Sequence, residues 1–460
     1  MIIKNREKIV NSYSRNWQSH VLDILDILTR GVESVLPQNV MQQYINRLGD
    51  TLVIGKEKFS LNKLNNVFLI GAGKAVLPMA DPIIGLLGDK IRKGILIAPH
   101  ANRTKKKKYD VDVEVFRSSH PLPGKSGQKA TEKIIRLAEK ASEGDLVISL
   151  ISGGGSALLT QPVREIDIED LNLTTETLIE SGATIEEINV VRKHLSRVKG
   201  GKLARKIHPA KCRTLIISDV VGDRLGAIAS GPTAPDSSTF RHALNILNEY
   251  GLLNEVPNSV HGYLHANANN NKKPVETVSE NEFSKLDVKN LVVANNLTSI
   301  QAMHEEAINK GLNSIMLSSM IEGESYEVGK VHAGIAMSVI FENIPIQKPG
   351  VIFSGGETTV TLDQKNGRGG PNQEFVLSVA RHIQRSKRVL AAAIDTDGKD
   401  GGTSTAGGVI QSGFQAESRK VIQNALKNHC SSKALQELGQ VIKTGSTGTN
   451  VNDVRLILIF

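Results

Sequence analysis

The chain has 460 residues, a formal net charge of +9, 40% hydrophobic residues and 22% charged residues. Single hydrophobic cores rarely grow beyond about 250–300 residues, so this length predicts two or three domains of an ordinary globular protein. The basic surplus is scattered, and its one dense run, Lys105 to Lys108, lacks the interleaved aromatic residues of single-strand binders. We therefore expect a solvated loop there, no nucleic-acid partner, and a field that attracts small anions.

The two cysteines, Cys212 and Cys430, lie far apart and have no His or Cys at metal-ligand spacing. Neither a disulfide framework nor a zinc site is predicted. The N-terminal segment is polar, and no run of about 18 apolar residues occurs. These features predict a cytoplasmic protein with no membrane partner.

In the first half of the chain, short β-branched runs alternate with helical patterns. Helices are predicted at 18–36 and 127–141, and strands at 66–70, 94–98, 111–116, 146–151 and 214–218. Apolar runs of this kind are typical of strands covered on both faces. The alternation predicts an α/β fold with a mostly parallel sheet flanked by helices.

A polar stretch rich in Asn and Lys, residues 254–285, predicts a domain boundary. We expect domains at 1–253 and 286–460, and a cleft between them as the place for the chemistry. The second α/β set has predicted strands at 291–294, 314–317, 350–353, 358–362, 389–394 and 454–460.

A glycine-rich turn follows the predicted strand 146–151 and consists of Ser152, Gly153, Gly154, Gly155 and Ser156. Three successive residues without a Cβ let the backbone approach a ligand, and its amides suit phosphate or carboxylate oxygens. The turn is therefore a candidate anion site. A tight connection without a ligand is the alternative.

A second glycine turn, Gly71-Ala72-Gly73-Lys74, follows the strand at 66–70. It is not a Walker loop, because the four-residue spacer before Gly-Lys is missing, and Val76 stands where the dinucleotide fingerprint has its third glycine. The lysine suits neutralisation of phosphoryl charge as a point cation. A plain surface lysine remains the other interpretation.

A predicted helix over 188–196 carries Asn189, Arg192 and Lys193 on neighbouring turns. Arg192 has the geometry to hold a carboxylate bidentately. The same residues also suit an exposed basic face. His194 is expected to be structural rather than catalytic.

Carboxylates follow several predicted strands. Asp219 and Asp223 suit a metal or substrate-hydroxyl site, or simply brace the turn. The hydroxyl-rich turn 354–359, the acidic turn 395–401 and the small-residue loop 444–453 complete the set. Oxygen-rich groups of this kind suit Mg²⁺, although isolated acidic turns often face solvent. Glycine loops, cations and acids together are typical of phosphoryl transfer.

A series of motifs runs in order from about Trp17 to the C-terminus. It consists of Gly71 to Ala75, Ser119-His120-Pro121, Ser152 to Ser156, Ile188 to Ser196 with Lys199-Gly200-Gly201, Ile228 to Thr233, Ser354 to Thr359, Gly370 to Glu374, Thr396 to Gly398 and Thr444 to Asn450. This series resembles the glycerate 2-kinase family, which has a C-terminal MOFRL domain.

The resemblance implies an enzyme of carbohydrate metabolism that uses ATP and Mg²⁺ to phosphorylate D-glycerate at its 2-hydroxyl, giving 2-phosphoglycerate. It implies a Rossmann-like N-terminal domain and a smaller α/β MOFRL domain. Lys74 becomes the catalytic or phosphate-stabilising lysine, and Ser152 to Ser156 the nucleotide-binding loop. Asn189, Arg192 and Lys193 are then the candidates for holding the substrate.

The resemblance also implies a metal-associated side of the site at Glu357, Asp397 and Asn450. Many members have an arginine where this chain has Pro371, and Arg368 is our candidate replacement. Asp219 is an optional proton acceptor.

Two other functions stay open. One is an NAD(P)H-dependent hydroxypyruvate reductase, which the incomplete fingerprint at Gly71 to Gly73 disfavours. The other is a non-catalytic sensor of nucleotides or sugar acids. The sequence also leaves open the phosphorylated hydroxyl, the preferred nucleotide and the oligomeric state, a homodimer included.

Overall fold

The structure is a computed structural model, and it describes residues 2–100, 110–269, 276–362, 367–383, 388–413 and 416–460. The lysine run at 105–108 lies outside the described residues. The chain divides into two compact units. The parallel-sheet unit comprises Val40–Ser218 and Asp223–Val293, and the mixed-sheet unit comprises Met1–Asn39, Asp219–Gly222 and Ala294–Phe460.

The parallel-sheet unit contains a small antiparallel sheet and a six-stranded sheet. The small sheet has the order β1-β2-β3 and consists of β1 Ile45–Leu48, β2 Thr51–Ile54 and β3 Glu57–Ser60. The large sheet has the order β6-β5-β4-β7-β8-β9 and consists of β4 Val67–Ala72, β5 Ile91–Pro99, β6 Val113–Ser118, β7 Leu146–Ile151, β8 Lys211–Ile217 and β9 Val288–Ala294.

Neighbouring strands from β6 to β8 pair in parallel. β4 and β7 are buried along their whole length, as apolar strands in the centre of such a sheet are. The predicted mostly parallel α/β sheet is confirmed. Because parallel strands end at one edge, the loops after β4 and β7 emerge side by side.

The mixed-sheet unit contains a six-stranded sheet in which β10 and β11 are parallel and the other pairs are antiparallel. Its order is β10-β11-β15-β12-β13-β14, with β10 Asn313–Glu324, β11 Gly350–Thr359, β12 Val389–Asp395, β13 Gly407–Gln411, β14 Val441–Ile442 and β15 Asp453–Ile459. This unit, a mixed sheet with helices, has the α/β fold that was expected for the smaller domain.

Three helices precede the first strand, and the others lie between strands in the chain. They are α1 Arg6–Asn11, α2 Arg15–Ser34, α3 Pro37–Tyr44, α4 Val76–Leu87, α5 Lys125–Ala138, α6 Gly155–Leu158, α7 Ile168–Glu180, α8 Ile185–His194, α9 Lys202–Ile207, α10 Phe240–Glu249, α11 Asn258–Ala268, α12 Glu280–Phe283, α13 Asn296–Asn309, α14 Ser325–Glu342, α15 Pro371–His382, α16 Ala416–Lys427 and α17 Ser431–Glu437. Within the described ranges, none of them combines the length and apolar character that crossing a bilayer requires.

The units differ from the predicted ranges 1–253 and 286–460 at the N-terminus. The amphipathic helix α2 buries Ile24 and Leu28 in the core of the mixed-sheet unit, together with Met303. Gly31 makes this packing possible, because a Cβ there would lie 2.6 Å from Met303 Cγ. The first 39 residues therefore belong to the mixed-sheet unit.

The predicted boundary at 254–285 also differs from the structure. The described part of this stretch contains α11 and α12 and stays in the parallel-sheet unit. Val278 is fully buried, and its N–H donates to the carbonyl of Gly200 at 2.9 Å. The run at 291–294, expected to open the second domain, is the end of β9 beside β8. The buried apolar residues of this stretch, Val256, Val260, Leu264 and Val278, are widely spaced among polar ones, so their periodic signal in the sequence was weak.

The sequence analysis predicts two separate strands at 350–353 and 358–362, and this prediction is wrong. The structure has one strand, β11, running through Gly355 and Gly356. A Cβ at Gly356, whose φ is +128°, would overlap the backbone of Ile321 on β10. Glycine here permits close approach of the neighbouring strand rather than a turn.

Candidate functional site

The glycine loop, Ser152 to Ser156, connects β7 to α6 at the carboxyl edge of the parallel sheet. Gly154 has φ +80°, a left-handed conformation that favours glycine. Gly155 has no room for a side chain either, because a Cβ there would lie 2.8 Å from the Cβ of Ala229. The loop therefore needs small residues both for its own turn and for its contacts.

The glycine loop fixes the backbone around Lys74. The N–H of Lys74 donates to the carbonyl of Gly153 at 2.8 Å, and the N–H of Ala75 donates to Ser152 Oγ at 3.0 Å. Gly73 must be glycine, because its Cβ would overlap Ser152. The two predicted glycine turns are thus one structure, and it holds Lys74 beside the triple-glycine backbone.

Two basic side chains, the partly buried Arg192 and the buried Lys199, contact the other end of the glycine loop. The carbonyl oxygen of Ser156 accepts from Arg192 Nη2 at 3.2 Å and from Lys199 Nζ at 2.7 Å. Burial lowers the pKa of the Arg192 guanidinium to about 10. Burial, and next the charge of Arg192, lower the pKa of Lys199 well below its usual value. Burial thus disfavours the charged form of both side chains, although a guanidinium with a pKa of about 10 stays protonated at neutral pH.

Asn189 reaches the same loop through a serine. Ser230 Oγ donates to Asn189 Oδ1 at 2.8 Å and lies 2.9 Å from Ser156 Oγ. Ser230 and Ala229 both have positive φ values, +60° and +52°, which are uncommon for residues with a side chain. In this conformation the Ser230 hydroxyl contacts both Asn189 and Ser156.

Lys193 differs from Arg192 in having an internal carboxylate partner. Its Nζ lies 2.7 Å from Asp236 Oδ1, and both side chains are 9% exposed. The ion pair outweighs the burial that would raise the pKa of Asp236, so the pKa of this carboxyl is lowered. Lys193 is thus a structural cation here, whereas Arg192 contacts the glycine loop. His194, expected to be structural, is fully buried and lies 3.1 Å from Glu276.

Sequence reasoning missed Lys199, Ser230 and His120 as site residues. All three stand in motifs that carried the family resemblance, which was the available signal. A Cβ at Gly154 would lie 2.9 Å from His120 Nε2, so the imidazole contacts the glycine loop. The cluster of Lys74, the glycine loop, Asn189 and Arg192 was predicted from separate segments, and the parallel-sheet unit brings these segments together.

The mixed-sheet unit holds the predicted metal-associated residues. Asp397 lies in a tight turn, where its Oδ1 accepts from the N–H of Lys399 at 2.7 Å and its carbonyl accepts from Thr447 at 3.2 Å. The loop that contains Thr447 leads to Asn450, whose side chain accepts from the N–H of Asn452 at 2.9 Å. Asp397 and Asn450 therefore lie on adjoining loops.

The other predicted residues of this unit are more dispersed. Glu357 is an exposed residue of β11, opposite Glu322 of β10. Arg368 is exposed, and its carbonyl accepts from Ser432 at 3.2 Å. Asp219 is the first residue of the short segment Asp219–Gly222, which belongs to the mixed-sheet unit. It follows Ser218, the last residue of the segment Val40–Ser218 of the parallel-sheet unit. Among the described residues, no three His, Cys, Asp or Glu side chains are grouped so that they could hold a metal ion.

Buried carboxylates, which sequence reasoning did not single out, lie behind the Asp397 turn. Asp400 accepts from the N–H groups of Asn372 and Gln373, at 3.0 and 2.8 Å, and so caps α15. Pro371 fits as the first residue of this helix, where its missing N–H costs nothing. Burial, and next the charge of Asp453, raise the pKa of Asp400 to about 7.

Family comparisons cover most of the chain. Residues 23–265 match the family described as "Domain of unknown function (DUF4147)", and residues 350–453 match the MOFRL family. Glycerate 2-kinase of Pyrococcus horikoshii is 36% identical over 438 residues, which are 95% of this chain and 96% of that protein. D-glycerate 2-kinase of Thermotoga maritima is 35% identical and is matched over 95% of this chain and 97% of its own length.

A differently named relative is also similar. A putative hydroxypyruvate reductase of Agrobacterium vitis is 39% identical over 395 residues, 85% of this chain and 86% of that protein. Among solved structures, the crystal structure of glycerate kinase from Thermotoga maritima has a TM-score of 0.83 at 35% identity and covers 95% of this chain and 99% of that chain. A Pyrococcus horikoshii crystal structure has a TM-score of 0.82 at 36% identity, with 95% and 98% covered.

Proposed function

This chain belongs to the glycerate 2-kinase family, and from that premise we propose that it transfers the γ-phosphoryl group of ATP to the 2-hydroxyl of D-glycerate. The products are 2-phosphoglycerate and ADP. The observation that carries the proposal is the bond from the Lys74 N–H to the Gly153 carbonyl, which holds a lysine beside a triple-glycine backbone. A fixed cation beside open backbone suits a phosphoryl group whose charge spreads during transfer.

The glycine loop and Lys74 are assigned to the nucleotide. Glycine backbone without Cβ atoms allows close approach of phosphate oxygens. Lys74 then offsets charge on the transferred group. Arg368 is assigned a supporting role of the same kind in the mixed-sheet unit, where its side chain is exposed.

Arg192 is assigned to the carboxylate of D-glycerate. Its guanidinium has five N–H donors, and the bond to Ser156 uses one of its two terminal nitrogens. The internal ion pair of Lys193 with Asp236 makes Arg192 the stronger of the two candidates. Asn189 orients the loop through Ser230.

Glu357, Asp397 and Asn450 are assigned to Mg²⁺. Their side-chain oxygens are the hard donors that this ion takes, and it is normally held through one or two carboxylates with phosphate and water. The ion would neutralise charge on the phosphates of the nucleotide. The test is a Mg²⁺ titration of ADP release, in which Asp397→Asn is expected to need more Mg²⁺ for half-maximal rate. An unchanged requirement in Asp397→Asn and Glu357→Gln would reject the assignment.

Phosphorus NMR of the reaction between D-glycerate and ATP tests the donor, the acceptor and the phosphorylated hydroxyl together. We expect the resonances of ADP and 2-phosphoglycerate to appear in equal amounts. Formation of 3-phosphoglycerate would overturn the regiochemistry. ATP binding without any release of ADP would favour a sensor instead.

The putative hydroxypyruvate reductase of Agrobacterium vitis supports a second candidate function. Against it, Gly71 to Gly73 lacks the third glycine of the dinucleotide fingerprint, and α4 begins at the Val76 that replaces it. The discriminating assay follows NADH and NADPH absorbance with hydroxypyruvate. Oxidation of either cofactor at a rate above that of ADP release would make the reductase the main function.

A further inference from the structure

We propose that His120 is the group that accepts the proton of the acceptor hydroxyl during phosphoryl transfer. This inference rests on the proposed kinase function and names a residue for which no role was assigned above. It competes with Asp219, the optional acceptor suggested by the sequence.

His120 lies in the loop between β6 and α5, at the carboxyl edge from which the loops after β4 and β7 also emerge. A Cβ at Gly154 would lie 2.9 Å from both Cδ2 and Nε2 of His120 and 3.4 Å from Cγ of Lys74. The Nε2 edge of the ring and the Lys74 side chain therefore both adjoin Gly154. This is the backbone assigned to the transferred phosphate.

The surroundings of the ring favour its neutral form. Partial burial of the imidazole, in a residue that still has solvent-exposed surface, and next the positive charge of Lys74 lower the pKa of His120 from its ordinary value. The glycine loop adds no charged side chain beside the ring, because it consists of three glycines and the two serines Ser152 and Ser156. At neutral pH the imidazole thus has a ring nitrogen able to accept a proton.

The proposed step balances without a further reactant. The O–H bond of the glycerate 2-hydroxyl breaks, and its proton forms an N–H bond on the imidazole. The hydroxyl oxygen forms a bond to the γ-phosphorus, while the bond from that phosphorus to the bridging oxygen breaks and its electron pair leaves with ADP. The imidazolium releases its proton to water, because His120 is solvent-exposed. In a loose transition state the proton moves late, so the base assists rather than initiates.

The test compares His120→Gln and His120→Ala with Asp219→Asn, using ADP release between pH 5 and 9. We expect both His120 variants to lose about 10²- to 10⁴-fold in kcat, the usual range for a positioned base, with smaller changes in the two KM values. In the wild type, kcat should fall on the acid side as His120 becomes protonated, and this limb should disappear in His120→Gln. Asp219→Asn should retain the limb.

Two outcomes would overturn the proposal. One is a kcat near the wild-type value in both His120 variants, and the other is an acid limb that persists in His120→Gln but vanishes in Asp219→Asn. Because the His120 side chain is exposed, its substitution should change stability little, and thermal unfolding of the variants checks that they are folded. If wild-type enzyme forms 2-phosphoglycerate while either outcome holds, only the role of His120 fails. If wild-type enzyme forms no phosphorylated glycerate, the kinase function itself fails.

Discussion

The Nζ atom of Lys199 lies 2.7 Å from the carbonyl oxygen of Ser156 and 3.3 Å from that of Leu159. One fully buried amine thereby holds both ends of α6, the short helix that completes the glycine loop. The nearby Arg192 bonds to the same Ser156 carbonyl. The loop proposed to bind phosphate is thus held from behind by residues that lie on a different segment of the chain.

Replacing Lys199 by Met should loosen this loop. Two carbonyls lose a donor, and the net value of such a bond, about 1 kcal/mol, corresponds to a rise of roughly five- to tenfold in the KM for ATP. The methionine side chain is uncharged, so its burial costs less than that of an amine and offsets part of the stability loss. The unfolding temperature should therefore change little, while the KM for ATP rises. Lys206→Met is the matched control, because Lys206 pairs with Glu139 at the surface. An unaltered KM for ATP in Lys199→Met would contradict this role.

Replacing Lys74 by Ala should lower kcat by at least about 10²-fold, because it removes one preorganised charge beside the moving phosphoryl group. The backbone bond to Gly153 is retained, so thermal stability should be nearly unchanged. A coupled assay of ADP release measures the rate. Turnover near the wild-type value would reject the assignment of Lys74.

Arg192 and Lys193 should respond differently to substitution. Arg192→Lys removes the planar fork, and loss of one charge-assisted bond, about 1.5–3 kcal/mol, predicts a rise of roughly 10- to 100-fold in the KM for D-glycerate. Lys193→Met instead leaves the carboxylate of Asp236 without its cation, and should lower thermal stability more than it changes this KM. Initial rates and unfolding scans of both variants check the contrast. Equal effects on KM would show that both cations contact the substrate.

Asp400 should make stability depend on pH in an unusual direction. Its pKa is raised to about 7 in the fold, above the value of about 4 in an unfolded chain, so the folded state binds the proton more tightly. Its contribution is present at low pH and is lost as pH rises from about 4 through about 7. Asp400→Asn removes this dependence. The unfolding free energy of the variant minus that of the wild type should therefore increase from pH 5 to pH 8, by an amount on the order of 2 kcal/mol. Denaturant unfolding at both pH values measures it, and a pH-independent difference would refute the expectation.

The sequence by itself determined the kind of fold and the segments that carry chemistry. Apolar runs specified β4 and β7, because a strand buried on both faces needs apolar side chains throughout. Successive glycines indicated the loop at Gly153 to Gly155, where the left-handed backbone of Gly154 and the close contact at Gly155 favour residues without a Cβ. These signals are local, and each can be recognised from a few neighbouring residues.

Only the tertiary structure decided which polar group each side chain meets. Arg192 and Lys193 are adjacent in sequence, but one contacts Ser156 and the other pairs with Asp236, 43 residues away. Asp400 caps a helix that begins 29 residues earlier, at Pro371, and its burial there raises its pKa. Hydrogen bonds and desolvation depend on distances between remote segments, and a one-dimensional pattern does not contain those distances.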